Sequence, residues 1–237
     1  MKYIRPESLQ FDIMSYPYPH IVIDNFLKDD YIESILKELS EITIDKPHYK
    51  GNNVYETNKY AFSTGFNQVL TEIFTELNCD EFINVLETKL GIPDIIRNNL
   101  ELRGAGVHKV FDKGLLCMHT DFEGYKDDTH GHLDRRINLL LYMNPDWKPE
   151  YGGNLCLYDN KTMHKIVKRI EPILNRCVIF LTTGNIHGHP KPMNLPDNIC
   201  RQSITTYYYT KNKNGERLVD GDKYIPVMWY KSIEDNA

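Results

Sequence analysis

The chain lacks any apolar run long enough to span a bilayer, any CxxC pair, any internal repeat and any excess of positive charge. Each absence excludes something. A membrane helix needs about 20 consecutive apolar residues, so no membrane partner is expected. A formal net charge of −5 gives no general electrostatic footprint for DNA or RNA, so no nucleic-acid partner is expected either. The opening Met1-Lys2-Tyr3-Ile4-Arg5-Pro6 has no apolar core of the signal-peptide kind. The five cysteines (Cys79, Cys117, Cys156, Cys177, Cys200) are odd in number and scattered, which reads as reduced thiols in a cytoplasmic compartment.

What is present is ordinary in amount and uneven in arrangement. Over 237 residues, 41% are hydrophobic and 26% charged, enough for one soluble domain with a full core. Sixteen tyrosines are unusual, and several gather in the second half. Residues 1–98 read mostly as helix. Apolar positions Leu27, Ile32, Ile35, Leu36 and Leu39 predict a helix over Leu27–Ile42, with Asp24 or Asn25 as its cap. Two more are expected over Phe66–Leu77 and Asp80–Leu90, the last closed by Gly91 and Pro93. The intervening Lys46–Thr64, rich in Asn, Lys and Tyr, reads as a long surface loop.

From about Leu100 the period changes. Short β-rich runs alternate with turn residues: Val107–Phe111, a turn at Asp112-Lys113-Gly114, Leu115–Asp121, Ile137–Met143, Leu155–Tyr158, Lys165–Glu171, Cys177–Thr182 and Cys200–Thr210. Such spacing implies an antiparallel sandwich or small barrel. The expected architecture is α+β, mainly β: a single domain 1–237 with a jelly-roll core over 99–230 and supporting N-terminal helices.

The first chemical signal is His119-Thr120-Asp121. Residues i and i+2 of a strand share a face, so one strand can offer an imidazole and a carboxylate to one ion. Among nine histidines and 33 acidic residues, such a pair arises easily by chance. A third ligand is available in Ile186-His187-Gly188-His189-Pro190, where either histidine could serve. Two histidines and one carboxylate leave octahedral positions open, as iron(II) needs for O₂ and a chelating co-substrate. Fourteen residues beyond His187, Arg201-Gln202-Ser203 places a guanidinium and a hydroxyl on one strand face, a clasp for a buried carboxylate.

In this order, HxD…H…RxS resembles the iron(II)/2-oxoglutarate dioxygenases of the prolyl 4-hydroxylase-like group. The likeness runs through Arg135–Trp147, Tyr151–Leu155, Asn175–Phe180, His187–Pro190 and Arg201–Ile204, and includes an opening Pro17–Phe26. It implies a double-stranded β-helix (jelly roll) and His119, Asp121 and His187 as iron ligands. His187 is preferred over His189 because the family's ligand stands a few residues before a proline-containing step. It further implies Arg201 and Ser203, with Tyr142, at the distal carboxylate of 2-oxoglutarate. The activity implied is hydroxylation of an unactivated C–H bond with release of succinate and CO₂, the substrate being a peptidyl proline, another protein or peptide site, or a small molecule. Ascorbate (vitamin C) is an accessory of such enzymes. One departure stands out: where relatives often carry a further tyrosine before the HxD turn, this chain has His108, Lys109 and Phe111.

Blander roles fit several other residues. Gly152 and Gly153 read as turn glycines, Trp147 as packing, and Tyr207-Tyr208-Tyr209 as alternating strand packing. His130 and His132 lie in polar Glu123–Arg136, a lid or substrate loop, and read as solvated. His20, His48 and His164 carry no signal. Two other functions are open to the same residues. Demethylases of alkylated DNA carry a second arginine six residues beyond the first, where this chain has Tyr207. A cupin-like metal- or sugar-binding module needs no carboxylate clamp, which Arg201-Gln202-Ser203 supplies.

Overall fold

The computed structural model describes residues 1–162, 165–212, 218–219 and 223–230; His164 lies outside the described residues. Strand β1 (His20–Ile23) opens the chain and is followed by α1 (Ile32–Glu41). Next come the hairpin β2 (Tyr49–Gly51) and β3 (Glu56–Phe62), then α2 (Gln68–Leu77) and α3 (Asp80–Leu90). The remainder is β4 (Gly106–Thr120), β5 (Gly124–Asp127), β6 (Gly131–Tyr142), β7 (Leu155–Tyr158), β8 (Ile166–Ile170), β9 (Arg176–Leu181), β10 (His187–His189), β11 (Arg201–Lys211), β12 (Leu218–Val219), β13 (Lys223–Tyr224) and β14 (Met228–Trp229). No helix among the described residues is long and apolar enough to cross a membrane.

The strands run β1-β9-β6-β11-β4-β10-β7-β8 in one curled sheet, with β3 and β14 also paired to β4 and β5 to β6. All the pairings are antiparallel. This is the expected jelly-roll core. Its two faces follow from alternation along β6. Ile137, Leu139 and Leu141 join one hydrophobic cluster with Leu39, Ile73, Phe82 and Leu86 of the helices. Leu140 and Tyr142 turn the other way and pack with Leu155, Leu157, Val178 and Phe180 inside the roll. The helices therefore back one wall of the sheet and leave its inner face for the site.

Helix α3 is as expected: Asp80 and Glu81 sit in its first turn, Lys89 in its last, and Gly91 (φ 65) closes it in the left-handed conformation. The first predicted helix is shorter. Asp29–Tyr31 form a 3-10 turn and the α-helix starts at Ile32. Neither proposed cap serves, because Asp24 pairs with Arg176 (2.5 Å) and Asn25 has φ 54. The second helix begins at Gln68 rather than Phe66. Lys46–Thr64 is not a loop. Its Tyr49–Gly51 and Glu56–Phe62 pair as a hairpin, and the second of these strands pairs with β4 and turns Lys59 to a cavity, so composition misreports a strand. Residues 112–114 do not end a strand either; β4 runs through them with Lys113 at φ 58. Glu123–Arg136 forms the β5–β6 hairpin, where His130 bonds Asp127 (2.8 Å) instead of being simply solvated.

One buried residue ties the N-terminal segment to the sheet. Asn175 (φ 60) accepts from the Leu27 N–H (2.8 Å) and donates to the Leu27 carbonyl (2.9 Å). Its own carbonyl accepts from Phe26 and its N–H donates to Tyr142. Asn175→Ala would orphan the buried Leu27 N–H, leave the Leu27 carbonyl with Arg5 Nε alone, and place a Cβ without a polar compensation in the left-handed region. We expect a loss of about 3 kcal/mol, read as a lower midpoint in urea at unchanged slope.

Candidate metal centre

His119 ends β4 and His187 opens β10, and the two residues are direct partners across these strands. The Nδ1–H of His119 donates to the Cys117 carbonyl (2.9 Å) and that of His187 to the Asn185 carbonyl (3.1 Å). Fixing the proton on Nδ1 leaves each Nε2 with its lone pair. Both Nε2 atoms face Asp121, at 3.5 Å from Oδ1 and from Oδ2 respectively. One ligand atom from each of the three buried residues falls within 4.8 Å of the others.

Two nitrogen lone pairs and a carboxylate that converge in a buried space make a donor set for a positive charge between them. The donor set therefore fits a divalent cation, and its N₂O composition fits iron(II). Burial pushes the His187 imidazole down to about 4, so it is neutral and able to ligate near neutral pH. Burial alone would raise the Asp121 carboxyl, yet Arg135, His187 and His119 hold it well below the usual carboxylate range.

Arg135 is the residue that sequence reasoning missed. It is 1% exposed, donates from Nη2 to Asp121 Oδ2 (2.9 Å), and lies with its guanidinium carbon 3.4 Å from the Tyr207 ring centroid. Asn138 Nδ2 reaches the same oxygen (3.1 Å). Alternation from Tyr142 correctly puts Asn138 on the inner face but sends Arg135 outward. The pairing of β6 with β11 slips one position between Tyr208 and Tyr209, and this bulge turns Arg135 in. Tyr207 is likewise part of the site wall and not only packing.

The same cavity continues past the triad to Arg201, Ser203 and His189. Arg201 Nε donates to the Gly153 carbonyl (2.7 Å) and Nη2 to the Tyr142 hydroxyl (3.0 Å). Ser203 Oγ lies 3.2 Å from Thr205 Oγ1. Gly153 does more than turn the chain: a Cβ there would meet Arg201 Cδ at 3.0 Å and Met193 Sδ at 2.6 Å. Of the two candidate histidines, His187 is the one beside His119 and Asp121. His189 is equally buried in the same cavity, its Nδ1 without a partner among the described residues.

With this geometry, residues 105–209 match the family model of the 2OG-Fe(II) oxygenase superfamily. The β-rich stretch 105–209 is thus similar to the 2OG-Fe(II) oxygenase superfamily, a class whose cofactors are iron(II) and 2-oxoglutarate. In particular, the chain is similar to the prolyl 3-hydroxylase OGFOD1 of Mus musculus, 26% identical over 197 residues, covering 81% of this chain and 33% of that protein. It is similar also to that of Xenopus laevis, 24% identical over 211 residues, covering 82% and 35%. The chain thus spans about a third of the length of these curated relatives. Its fold is similar to that of a prolyl hydroxylase from Trichoplax adhaerens solved with a peptide fragment of the hypoxia inducible factor oxygen degradation domain. The TM-score is 0.58 at 20% identity, covering 82% of this chain and 84% of that one.

Arg135→Met would leave a buried carboxylate uncompensated. We expect the metal-free protein to lose about 3–5 kcal/mol and to recover part of it on adding Mn(II), seen as a rise in melting temperature. The pH dependence should change as well. A depressed folded-state pKa contributes stability above the ordinary carboxylate value, and this is lost as pH falls through the folded pKa. The variant should lack that acid-side loss at Asp121, which a set of melts between pH 3 and roughly pH 7 would reveal.

Proposed function

We propose that this chain is an iron(II)- and 2-oxoglutarate-dependent hydroxylase of a peptidyl proline, with His119, Asp121 and His187 as iron ligands. Arg201 binds the distal carboxylate of 2-oxoglutarate, with the Tyr142 hydroxyl and Ser203 beside it. The observation that carries this reading is the pairing, in one cavity, of a neutral-imidazole and carboxylate triad with a buried guanidinium held by Tyr142. A metal-binding module alone would have no use for the second element.

When bound, iron(II) supplies the O₂-activating chemistry, which couples oxidative loss of CO₂ from 2-oxoglutarate to oxidation of a C–H bond. The protein's own residues do the rest. The Nδ1–H bonds of His119 and His187 fix which ring nitrogen faces the metal. Arg135 and Asn138 hold Asp121 by one oxygen, orienting the carboxylate and keeping it anionic. Arg201 and Tyr142 set the depth at which a dicarboxylate seats. Leu140 and Leu155 line the same cavity and supply apolar surface that disfavours water there. The names of the curated relatives and of the Trichoplax protein support a prolyl substrate. The helical residues 1–98 and the jelly roll act as one unit in this reading, joined by a shared hydrophobic cluster.

The test is succinate release from 2-oxoglutarate on adding iron(II), ascorbate and proline-containing peptides. His119→Ala should reduce it by at least about 10³-fold, and product analysis should find hydroxyproline. Equal turnover by that variant would sink the assignment. The position of the new hydroxyl separates a 3-hydroxylase, as the curated relatives are named, from a 4-hydroxylase.

A further inference from the structure

We propose that Lys59 is a second cationic anchor for the distal carboxylate of the co-substrate, beside Arg201, and so a determinant of co-substrate specificity. The inference rests on the 2-oxoglutarate reading above and deepens it. It concerns a residue of β3, far from the HxD…H…RxS residues and outside the matched stretch 105–209.

The register places it. Lys59 of β3 and Arg201 of β11 pair with the same residue of the strand between them, Val110 of β4. Residues directly opposite one another across antiparallel strands share a face. The two cations therefore stand in one row on the cavity side, with backbones about 10 Å apart, twice the strand spacing. Side chains of this length converge across that gap. The next row repeats the pattern, with Ala61, His108 and Ser203 in line. Lys59, Val110, His108, Arg201 and Ser203 all line the cavity.

A bulge secures the arrangement. Glu56 and Lys59 are three residues apart and would face opposite ways on a regular strand. The pairing of β3 with β4 slips between Thr57 and Lys59, around Asn58 (φ 49), whose Nδ2 donates to the Asp112 carbonyl (2.7 Å). The slip brings the Glu56 carboxylate to the Lys59 ammonium at 3.1 Å, with the side chains 6% and 18% exposed. Glu56 is fixed from behind by the Tyr49 hydroxyl and packs against Gly51, where a Cβ would come within 2.8 Å of it.

The charges leave room for an anion. Among the described residues, Arg201 has no carboxylate partner, and it donates to a carbonyl and a phenol. Glu56 offsets Lys59 but bonds it through a single oxygen, so the ammonium keeps donors to spare. His108 and His189 lie in the same space, and burial together with the nearby cations keeps His108 neutral. The buried Nδ1 of His189, without a partner among the described residues, is a further free polar atom in this cavity. A cavity end with two cations, one of them uncompensated, takes a carboxylate. A monocarboxylic 2-oxo acid would leave it unfilled.

The test is calorimetric binding to the Zn(II)-loaded protein, which needs no turnover. The probes are 2-oxoglutarate and 2-oxopentanoate, which replaces the distal carboxylate by a methyl. For Lys59→Met the expected result is a roughly 10- to 100-fold weaker Kd for 2-oxoglutarate, an unchanged Kd for 2-oxopentanoate and unchanged zinc affinity. Lys59→Arg should keep most of the discrimination, and Lys59→Gln provides a second neutral variant should the methionine perturb folding. Undiminished 2-oxoglutarate binding by the neutral variants, or an equal loss for both acids, would overturn the role. Failure of the parent reading looks different: the wild type would bind neither acid, or Arg201→Met would bind 2-oxoglutarate as well as wild type.

Discussion

Everything around the site answers to one buried carboxylate. Asp121 sits where water cannot stabilise its charge, and desolvation of an unpaired ion costs far more than a domain can spare. Its charge survives because Arg135 and Asn138 both donate to one of its oxygens. The arrangement is unfinished without a cation, since both Nε2 atoms bring lone pairs and not protons. The rest of the inner face is shaped to keep these groups in place. Tyr207 covers the Arg135 guanidinium, and carbonyls of Cys117 and Asn185 hold the imidazoles.

The cavity is polarised along its length. One end carries the carboxylate and the lone-pair nitrogens, the other Arg201 and Lys59. A small molecule with a chelating head and an anionic tail is matched to both ends at once. The strands responsible are β4, β6, β10 and β11 of the roll, with β3 laid beside β4. Local breaks in register matter here as much as the regular ladder. Slips in the β6–β11, β3–β4 and β4–β10 pairings each put a functional side chain on the inner face that strict alternation would turn outward.

Much of this was readable in advance. Strand runs beyond Leu100, helix α3 with its closing Gly91, and the order HxD…H…RxS all depend on local periodicity or short spacing, which a sequence displays directly. Arg135 was not readable, because its inward turn depends on a bulge against a strand some 70 residues away. Lys59 and Glu56 were hidden for another reason. They lie in a segment whose polarity resembles a solvated loop, and only pairing with β4 reveals that Lys59 reaches a cavity and Glu56 is buried beside it. The Asp24 or Asn25 cap failed because a distant Arg176 competes for Asp24.

The sequence by itself determined the architecture and the chemical kind of the site. A jelly roll follows from short alternating strands, and an iron and 2-oxoglutarate chemistry from histidine, aspartate and arginine in a particular order. Tertiary structure alone decided which second residues hold Asp121 and brought Lys59 to the cavity that Arg201 lines. The physical reason is that side-chain direction on a strand is set by register with its neighbours. Register at a bulge is a property of the assembled sheet, not of either strand alone.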